Sequence, residues 1–377
     1  MLGADTIEMV AWLQACGDCE CETDETFMGR RLTINGATLT QHPVTPISDP
    51  LPDIGMVGIT KIGHTTYIAS WMEKPTADHS PSHVRLPVCI FIDENFNTPP
   101  RMGRIIDLLD DEYQMREMSF DLQYHATEFA ITAFPVRNLA SGIAGLAVRP
   151  ISTVTHSAGP TTFIEQGDNV RDPKIAVYSD HYCIAYVNES ESKVKTAIFN
   201  RSNEVEHYVD IAPGGRAVAI ARDPLIEAYL VVFRDIRGLL NGRMVYPDGT
   251  SGGVFGITGP ADPNCFNQRP FSMASTNIDG NAVYKIVYHS SNEVVGTGIP
   301  MMELQLSSMV READSTFTRE RAVKIAPDDE NVSLEYSYIF ASANAFTVLL
   351  CEATLHTAGT STYLDPDTYC VTRIRVP

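Results

Sequence analysis

The feature that most constrains this sequence is a recurring order of short β-strand signals. Runs rich in Val, Ile, Tyr, Phe and Thr are bounded by Gly, Pro, Asn and Asp, and a sustained 3.6-residue helical period is almost absent. In six places two such runs follow one another as a hairpin. These hairpins begin at Met56, Met118, Lys174, Val218, Phe271 and Val332. The sequence therefore predicts an all-β chain built from copies of one hairpin.

A third and a fourth run follow each of the first five hairpins, so the repeating unit has four strands. Examples are "VKTAIFNRSNEVEHYVDI" and "GRMVYPDGTSGGVFGI". The copies at the two ends are partial. "IEMVAWLQA" and "RRLTINGATLTQHPVTPI" resemble the second to fourth runs of an opening copy, and the last copy stops after a third run, "YCVTRIRV". We therefore expect about 26 of the roughly 28 strands that seven complete units would have.

A four-stranded unit of this kind cannot bury its own faces, whereas units stacked around an axis can. The chain thus resembles an irregular β-propeller in architecture, without the signature of a particular propeller family. From residue 56 to residue 332 the hairpins recur about every 55 residues, which predicts about seven blades in 377 residues. We expect one propeller domain over residues 1–377, with six blades as an alternative count. The alternative architecture is a pair of β-sandwiches dividing near residue 170.

One segment favours a helix. Residues Arg104 to Met115, "RIIDLLDDEYQM", have apolar pairs at 105/106 and 108/109, a spacing typical of one apolar helix face. We expect a short linker helix on the outside of the molecule.

The charge balance makes several classes of partner unfavourable. The chain carries 47 acidic and 28 basic residues, a formal charge of −19, and no basic run longer than Arg30 and Arg31. Binding to nucleic acid or to an anionic membrane through a basic face is therefore not expected. No apolar stretch approaches the roughly 18 residues of a membrane span, and the start "MLGADTIEMV" does not resemble a signal peptide. The compartment stays open between the cytoplasm and release by lysis or a non-Sec route, and a virion or extracellular assembly is favoured.

A catalytic interpretation begins at Arg171, Asp172 and Pro173. This triplet resembles the "RDP" of invertase-like glycoside hydrolases, and the resemblance implies that Asp172 holds the sugar during glycosyl transfer. That family also has a carboxylate nucleophile in the first blade and a Glu acid/base in a later one. Here "SDPLPDIG" lacks the flanking Asn residues, and Glu352 follows Cys351 in reversed order.

A second "RDP", Arg222 to Pro224, falls in the turn between a first and a second strand. The triplet therefore recurs without a shared structural position. Asp favours turns because its side chain bonds the local backbone, and Pro favours them because it fixes φ. We interpret Asp172 as a scaffold residue.

The cysteines are too sparse for a disulfide scaffold. Cys89, Cys183, Cys351 and Cys370 lie in apolar runs, where a thiol behaves as a small hydrophobe. Cys16, Cys19 and Cys21 lie in the acidic segment "ACGDCECETDE". We interpret that segment as an exposed hairpin loop, with a soft-metal site or a disulfide as alternatives. Use of the sequons at Asn188, Asn200 and Asn331 stays open.

Other catalytic motifs have little support in the sequence. His79 and His83 form the one close histidine pair, and Pro81 between them excludes a helix. The letters "GTSGG", Gly249 to Gly253, have the spacing of G-x-S-x-G, but we interpret this segment as a hairpin loop, and the chain has no phosphate-binding glycine loop. We therefore assign no catalytic, cofactor-binding or metal-binding residue and expect no cofactor.

These observations favour a non-catalytic structural or binding propeller that docks with other protein subunits of a larger assembly, such as a virion, phage tail or surface filament. The alternatives are a carbohydrate-active enzyme and a glycan-binding, lectin-like receptor binder. The enzyme would use carboxylates at inner-strand ends such as Asp172, Asp223 and Glu352. Several equivalent sugar sites are disfavoured because Trp12 and Trp71 are the only tryptophans.

Overall fold

The fold consists of antiparallel β-sheets. The computed structural model describes residues 6–15, 24–35, 38–48, 51–52, 55–62, 66–73, 86–97, 106–108, 110, 113–115, 121–125, 129–164, 170–259, 271–293, 300–312, 316–325, 332–342, 345–358, 361–365 and 372–376. Across these residues there are 31 strands in seven sheets and no helix. The described part of the chain accordingly has no helix that could cross a membrane.

The first three sheets are formed in chain order. The strands of the first sheet are β1 (Thr6–Ala15), β2 (Asp24–Asn35), β3 (Thr38–Pro46) and β4 (Leu51–Pro52). Those of the second are β5 (Gly55–Lys61), β6 (Thr66–Glu73), β7 (Leu86–Asp93) and β8 (Ile106–Asp107). Those of the third are β9 (Tyr113–Met115), β10 (Asp121–His125), β11 (Phe129–Asn138), β12 (Ala144–Ser152), β13 (Ser157–Ala158) and β14 (Thr162–Phe163).

The remaining four sheets repeat the same order. The fourth has β15 (Val170–Val177), β16 (His181–Asn188), β17 (Lys193–Asn200) and β18 (Val205–Pro213), and the fifth has β19 (Val218–Arg222), β20 (Tyr229–Arg234), β21 (Leu240–Val245) and β22 (Phe255–Gly256). The sixth has β23 (Ser272–Ile278), β24 (Asn281–Glu293), β25 (Pro300–Arg311), β26 (Phe317–Arg319) and β27 (Val323–Lys324). The seventh has β28 (Val332–Ser342), β29 (Ala345–Ala358), β30 (Ser361–Asp365) and β31 (Thr372–Val376).

Some edge positions are shared by two short strands. β9 and β10 both pair with β11, β13 and β14 both pair with β12, and β26 and β27 both pair with β25. The middle five sheets are thus four positions wide. The first and last sheets are three positions wide in the described residues, because β3 and β4 share one partner, as do β30 and β31. The predicted seven repeats with two partial end copies are confirmed.

The helix predicted over Arg104 to Met115 is wrong. The described residues of this segment include β8 and β9 instead. Ile106 and Leu108 are buried while Asp107 between them is exposed, which is the two-residue alternation of a strand. The Leu108 N–H also donates to the Pro87 carbonyl at 2.8 Å. Pairing with β7 therefore overrides the local helical spacing.

Residue contacts divide the chain into two compact units. The first comprises Met1–Ile184, Asn188–Glu191 and Phe199–Glu206, and the second comprises Ala185–Val187, Ser192–Ile198 and His207–Pro377. Each unit is held together by apolar side chains between consecutive sheets. In the first unit, one cluster joins the first and second sheets and another joins the second and third, with Phe27, Trp71, Phe91 and Phe134 fully or almost fully buried.

The second unit has the same kind of core. One cluster lies between the fifth and sixth sheets and includes Leu230, Val232, Tyr284 and Ile286. On the other face of the sixth sheet, Val287 packs in a cluster that also contains residues of the seventh. The sixth sheet is therefore buried on both faces, as the sequence pattern predicts for a stacked unit.

The thiols and sequons have clear local positions. Cys89 and Cys183 are buried thiols outside any disulfide, as predicted, and burial raises the pKa of the Cys89 thiol. Asn188 is completely buried, and its Oδ1 accepts the Glu191 N–H at 3.0 Å. Asn200 Nδ2 donates to Glu204 at 2.9 Å. These two asparagines thus stabilise turns, while Asn331 lies outside the described residues.

The edge strand β18 is longer than several other outer strands of the sheets. It has nine residues, whereas β8, β13, β14 and β22 have two each. Arg243, on β21 of the neighbouring fifth sheet, donates through Nη1 to the carbonyl oxygens of Asp210 and Ile211 on β18, at 2.9 Å each. The guanidinium group therefore covers part of the backbone of this strand.

We predict that Phe134→Ala lowers the free energy of unfolding by about 3–5 kcal/mol, because it opens a cavity between the second and third sheets. The control is Leu139→Ala, in the turn that follows β11, where the side chain is 56% exposed and the expected change is below about 0.5 kcal/mol. Chemical denaturation followed by tryptophan fluorescence measures both. Equal effects of the two substitutions would contradict the packing described.

Candidate functional site

The first Arg-Asp-Pro triplet lies near the start of β15, as the sequence predicts. Asp172 has φ +53, a left-handed conformation that Asp tolerates better than most residues. Its carboxylate is 3.3 Å from the Arg171 guanidinium, which is also 2.6 Å from Glu189. Asp172 is thus part of a local, partly exposed charge cluster near the start of β15.

The second triplet places Asp223 in the turn between β19 and β20, again as predicted. Its Oδ1 accepts the N–H groups of Leu225 and Ile226 at 2.8 and 3.0 Å. The side chain is 0% exposed, so these bonds are made away from solvent. The carboxylate therefore fixes the shape of the turn.

Two distant side chains complete the environment of Asp223. Arg311, at the end of β25, donates to both carboxylate oxygens at 2.6 and 2.7 Å. The Tyr284 hydroxyl donates to Oδ2 at 2.5 Å. We call Asp223, Arg311 and Tyr284 the buried clamp. Five hydrogen bonds therefore end on this carboxylate. The Arg311 guanidinium neutralises its charge, and both of its oxygens have hydrogen-bond partners.

The buried clamp lowers the pKa of Asp223 and raises the pKa of Tyr284. Burial raises the pKa of Asp223, but the hydrogen bonds from Arg311, Tyr284 and the turn backbone outweigh burial, so the pKa lies below the ordinary aspartate value. Burial, and then the charge of Asp223, raise the pKa of Tyr284. Asp223 is therefore ionised at neutral pH and has no free oxygen for acid or base chemistry.

The other residues considered from the sequence do not join a described site. Glu352 lies on β29 and pairs with Leu334 across the sheet, but its side chain is outside the described residues. Cys16, Cys19, Cys21, His79 and His83 lie outside them as well. Among the residues that are described, no group of three or more His, Cys, Asp or Glu side chains could hold a metal ion.

The second unit has an open depression of about 440 Å³. It is lined by Glu227, Tyr246, Pro247, Asp248 and Thr250. Glu227 lies in the β19–β20 turn, and the other four lie in the β21–β22 turn. Both turns are at the same end of the fifth sheet, because an antiparallel meander reverses direction at every turn. The depression thus combines carboxylates, a hydroxyl, an aromatic ring and a proline.

Local sequence fixes the β21–β22 turn. The Gly249 N–H donates to the Tyr246 carbonyl at 3.0 Å, and the Tyr246 N–H donates to the Thr250 carbonyl at 2.9 Å. Pro247 supplies the φ of the first turn position, and Gly249 has φ +80, which favours glycine. A Cβ on Gly249 would lie 2.7 Å from the His207 ring. The turn is therefore packed against β18.

The side chain of Asp248 is oriented by its own turn. Its Oδ1 accepts the Thr250 hydroxyl at 2.6 Å and the Thr250 N–H at 2.9 Å. These hydrogen bonds hold the pKa of Asp248 below its ordinary value. Asp248 therefore presents an ionised carboxylate to solvent at the depression.

Sequence reasoning placed the β21–β22 turn but missed the depression. "YPDGT" is typical of a turn and lies between the third and fourth runs of its repeat. Nothing in that segment indicates that Glu227, from another turn, lies beside it. Trp71, one of the two tryptophans of the chain, is buried against Phe27 with ring centroids 5.7 Å apart.

The seven repeated sheets and their apolar seams define an all-β protein of the β-propeller class. The chain is similar in structure to the BP39L lectin of Burkholderia pseudomallei, with a TM-score of 0.56, 12% identity and coverage of 98% of this chain and 100% of the lectin. This likeness supports the propeller fold over the two-sandwich alternative. It extends to the fold alone, because the identity is low.

Two weaker likenesses were also found. The periplasmic gluconolactonase PpgL of Pseudomonas aeruginosa matches with a TM-score of 0.48 and 9% identity, over 98% of this chain and 100% of that protein. The intramolecular trans-sialidase of Ruminococcus gnavus matches with a TM-score of 0.45 and 9% identity, over 92% and 87%. No protein-family model matches the chain, and no curated protein is similar to it in sequence.

We predict that Asp223→Asn destabilises the protein by about 3–5 kcal/mol, because Arg311 is left as a buried charge without its counter-ion. The difference from wild type narrows as pH falls below about 4. The sign follows from the lowered pKa of Asp223: its stabilisation is present above the unfolded pKa and is lost on protonation.

The matched control is Asp235→Asn in the β20–β21 turn, where the carboxylate pairs with the mostly exposed Arg237 at 2.9 Å. A change below about 1 kcal/mol is expected there. Urea denaturation between pH 3 and pH 8 measures both variants. A constant difference between wild type and Asp223→Asn over this range would contradict the ionised clamp.

Proposed function

We propose that this protein is a non-catalytic recognition module that binds a glycan at the depression of the second unit. The observation that carries the proposal is the composition of the depression: Tyr246 and Pro247 beside the carboxylates of Glu227 and Asp248. The lectin with a similar fold supports a propeller as a suitable scaffold for such a site.

Each lining group suits one part of a saccharide. The C–H face of a pyranose ring packs on an aromatic or proline surface, as the apolar part of other amphipathic ligands does. Sugar hydroxyl groups donate hydrogen bonds to carboxylate oxygens, which only accept. The Thr250 hydroxyl already donates to Asp248, so its oxygen is oriented as an acceptor. Together these groups favour a ligand rich in hydroxyl groups.

The ionisation of the described carboxylates favours binding over hydrolysis. Glycoside hydrolysis requires two carboxyl groups about the scissile bond, and the acid has a raised pKa. Asp248 has a lowered pKa and Asp223 is enclosed by the buried clamp. An open depression also leaves a bound sugar in contact with water, which suits reversible recognition.

Docking in a larger protein assembly is the second candidate function. The observation that favours it is a pair of exposed apolar side chains, Leu225 and Ile226, which are adjacent in the β19–β20 turn. Exposed apolar groups of this kind contribute to protein interfaces when they cluster. A protein subunit of a virion, phage tail or filament is the expected partner.

We predict that Tyr246→Ala weakens glycan binding at least tenfold, because the ring supplies the apolar contact. A glycan array identifies a bound saccharide, and isothermal titration calorimetry with that saccharide measures the loss. Tyr208→Ala is the control, since Tyr208 is an exposed tyrosine on β18. Unchanged affinity in a folded Tyr246→Ala variant, or release of a cleaved product by wild type, would contradict the proposal.

For docking, we predict that the double substitution Leu225→Ser and Ile226→Ser abolishes co-purification of stoichiometric protein subunits from the native source, because it removes the exposed apolar pair. Val323→Ser, at an exposed position on β27, is the control. Quantitative mass spectrometry measures the recovered subunits. Equal recovery with all three proteins would argue against this surface.

A further inference from the structure

The depression has carboxylates and no cationic lining residue. Glu227 and Asp248 are both exposed, and the remaining lining residues, Tyr246, Pro247 and Thr250, are uncharged at neutral pH. His207 packs against Gly249 but does not line the depression. The whole chain carries a formal charge of −19. A ligand therefore approaches a negative surface and meets acceptors of hydrogen bonds.

Both carboxylates are presented by constrained turns. The two hydrogen bonds from Thr250 orient Asp248, and the left-handed Gly249 fixes the turn that carries it. The buried clamp fixes the start of the turn that carries Glu227, because Asp223 accepts the N–H groups of Leu225 and Ile226. Groups held in place before binding lose little conformational entropy on binding. The Asp248 carboxylate is thus oriented before a ligand binds, and the Glu227 carboxylate is positioned by the backbone of its turn.

We propose that the depression accepts a saccharide that donates hydrogen bonds and has no acidic group, and that it rejects sialylated, uronic or sulfated glycans. Carboxylates accept hydrogen bonds from sugar hydroxyl groups or from the ammonium group of an amino sugar. They repel a ligand carboxylate or sulfate. In water, one such repulsion at about 4 Å lowers affinity about fivefold, and two lower it by more than tenfold.

The inference rests on the proposed glycan-binding function, so the experiment separates the two. Biolayer interferometry at pH 6 and low salt compares the affinity of the full chain for the two members of matched saccharide pairs. One pair is a neutral oligosaccharide with and without terminal sialic acid, and another is the same neutral oligosaccharide with and without sulfate. Chitin oligosaccharides with and without acetyl groups distinguish neutral sugars from amino sugars.

We expect the neutral or the amino saccharide to bind, and the acidic member of each pair to bind at least tenfold more weakly. Raising the salt to 0.5 M narrows this ratio, because salt screens exposed charges. The double variant Glu227→Gln and Asp248→Asn binds the acidic saccharides at least fivefold more tightly than wild type. Asp235→Asn leaves the ratio unchanged, since its turn lies at the opposite end of the fifth sheet.

The results separate the inferred rejection of acidic saccharides from the proposed glycan-binding function. Equal or tighter binding of the acidic saccharides by wild type overturns the inference and leaves glycan recognition intact. The inference is also overturned if the ratio of the affinities for acidic and neutral saccharides is the same in the double variant as in wild type, provided that thermal denaturation shows that the variant is folded. Failure of every saccharide to bind overturns the proposed function, and the inference with it.

Discussion

Burial of apolar side chains between the faces of consecutive sheets is the interaction on which the rest of the structure depends. A sheet of three or four strand positions has two faces, and neither is covered within the sheet itself. In the second unit, the sixth sheet packs one face on the fifth and the other on the seventh. Because the sheet faces are used in this way, the turns at the sheet ends stay exposed for other roles.

Much of this architecture could be predicted from the sequence. Side chains of a strand alternate between its two faces, so a largely apolar run such as β16 or β20 predicts a strand that is covered on both faces. Both strands are buried throughout. The Asp-Pro signal placed the turn at Asp223 correctly. The helix prediction for Arg104 to Met115 failed because the apolar residues of this segment also fit a helical period. Pairing with β7 instead buries Ile106 and Leu108, which are two residues apart as in a strand.

The candidate site could not be predicted in the same way, because its parts are distant in sequence. Glu227 and Tyr246 belong to different turns, and only the meander brings their ends of the sheet together. The buried clamp joins Asp223 to Arg311 over 88 residues. Local sequence showed that Asp223 was a turn residue, yet nothing in it indicated which cation would neutralise the carboxylate. Such pairings follow from the register of whole sheets rather than from any motif.

The hydrogen bonds from Arg243 to the backbone of β18 limit the ability of this edge strand to pair with a second molecule. A nine-residue edge strand is long enough to pair with the same strand of another molecule, whereas two-residue edge strands are not. Consecutive carbonyl groups of a strand point to opposite sides, so one of the two oxygens that the guanidinium group binds faces away from β17 and is less available for such a pairing. One side chain from the next sheet thereby works against fibre-like growth from this edge.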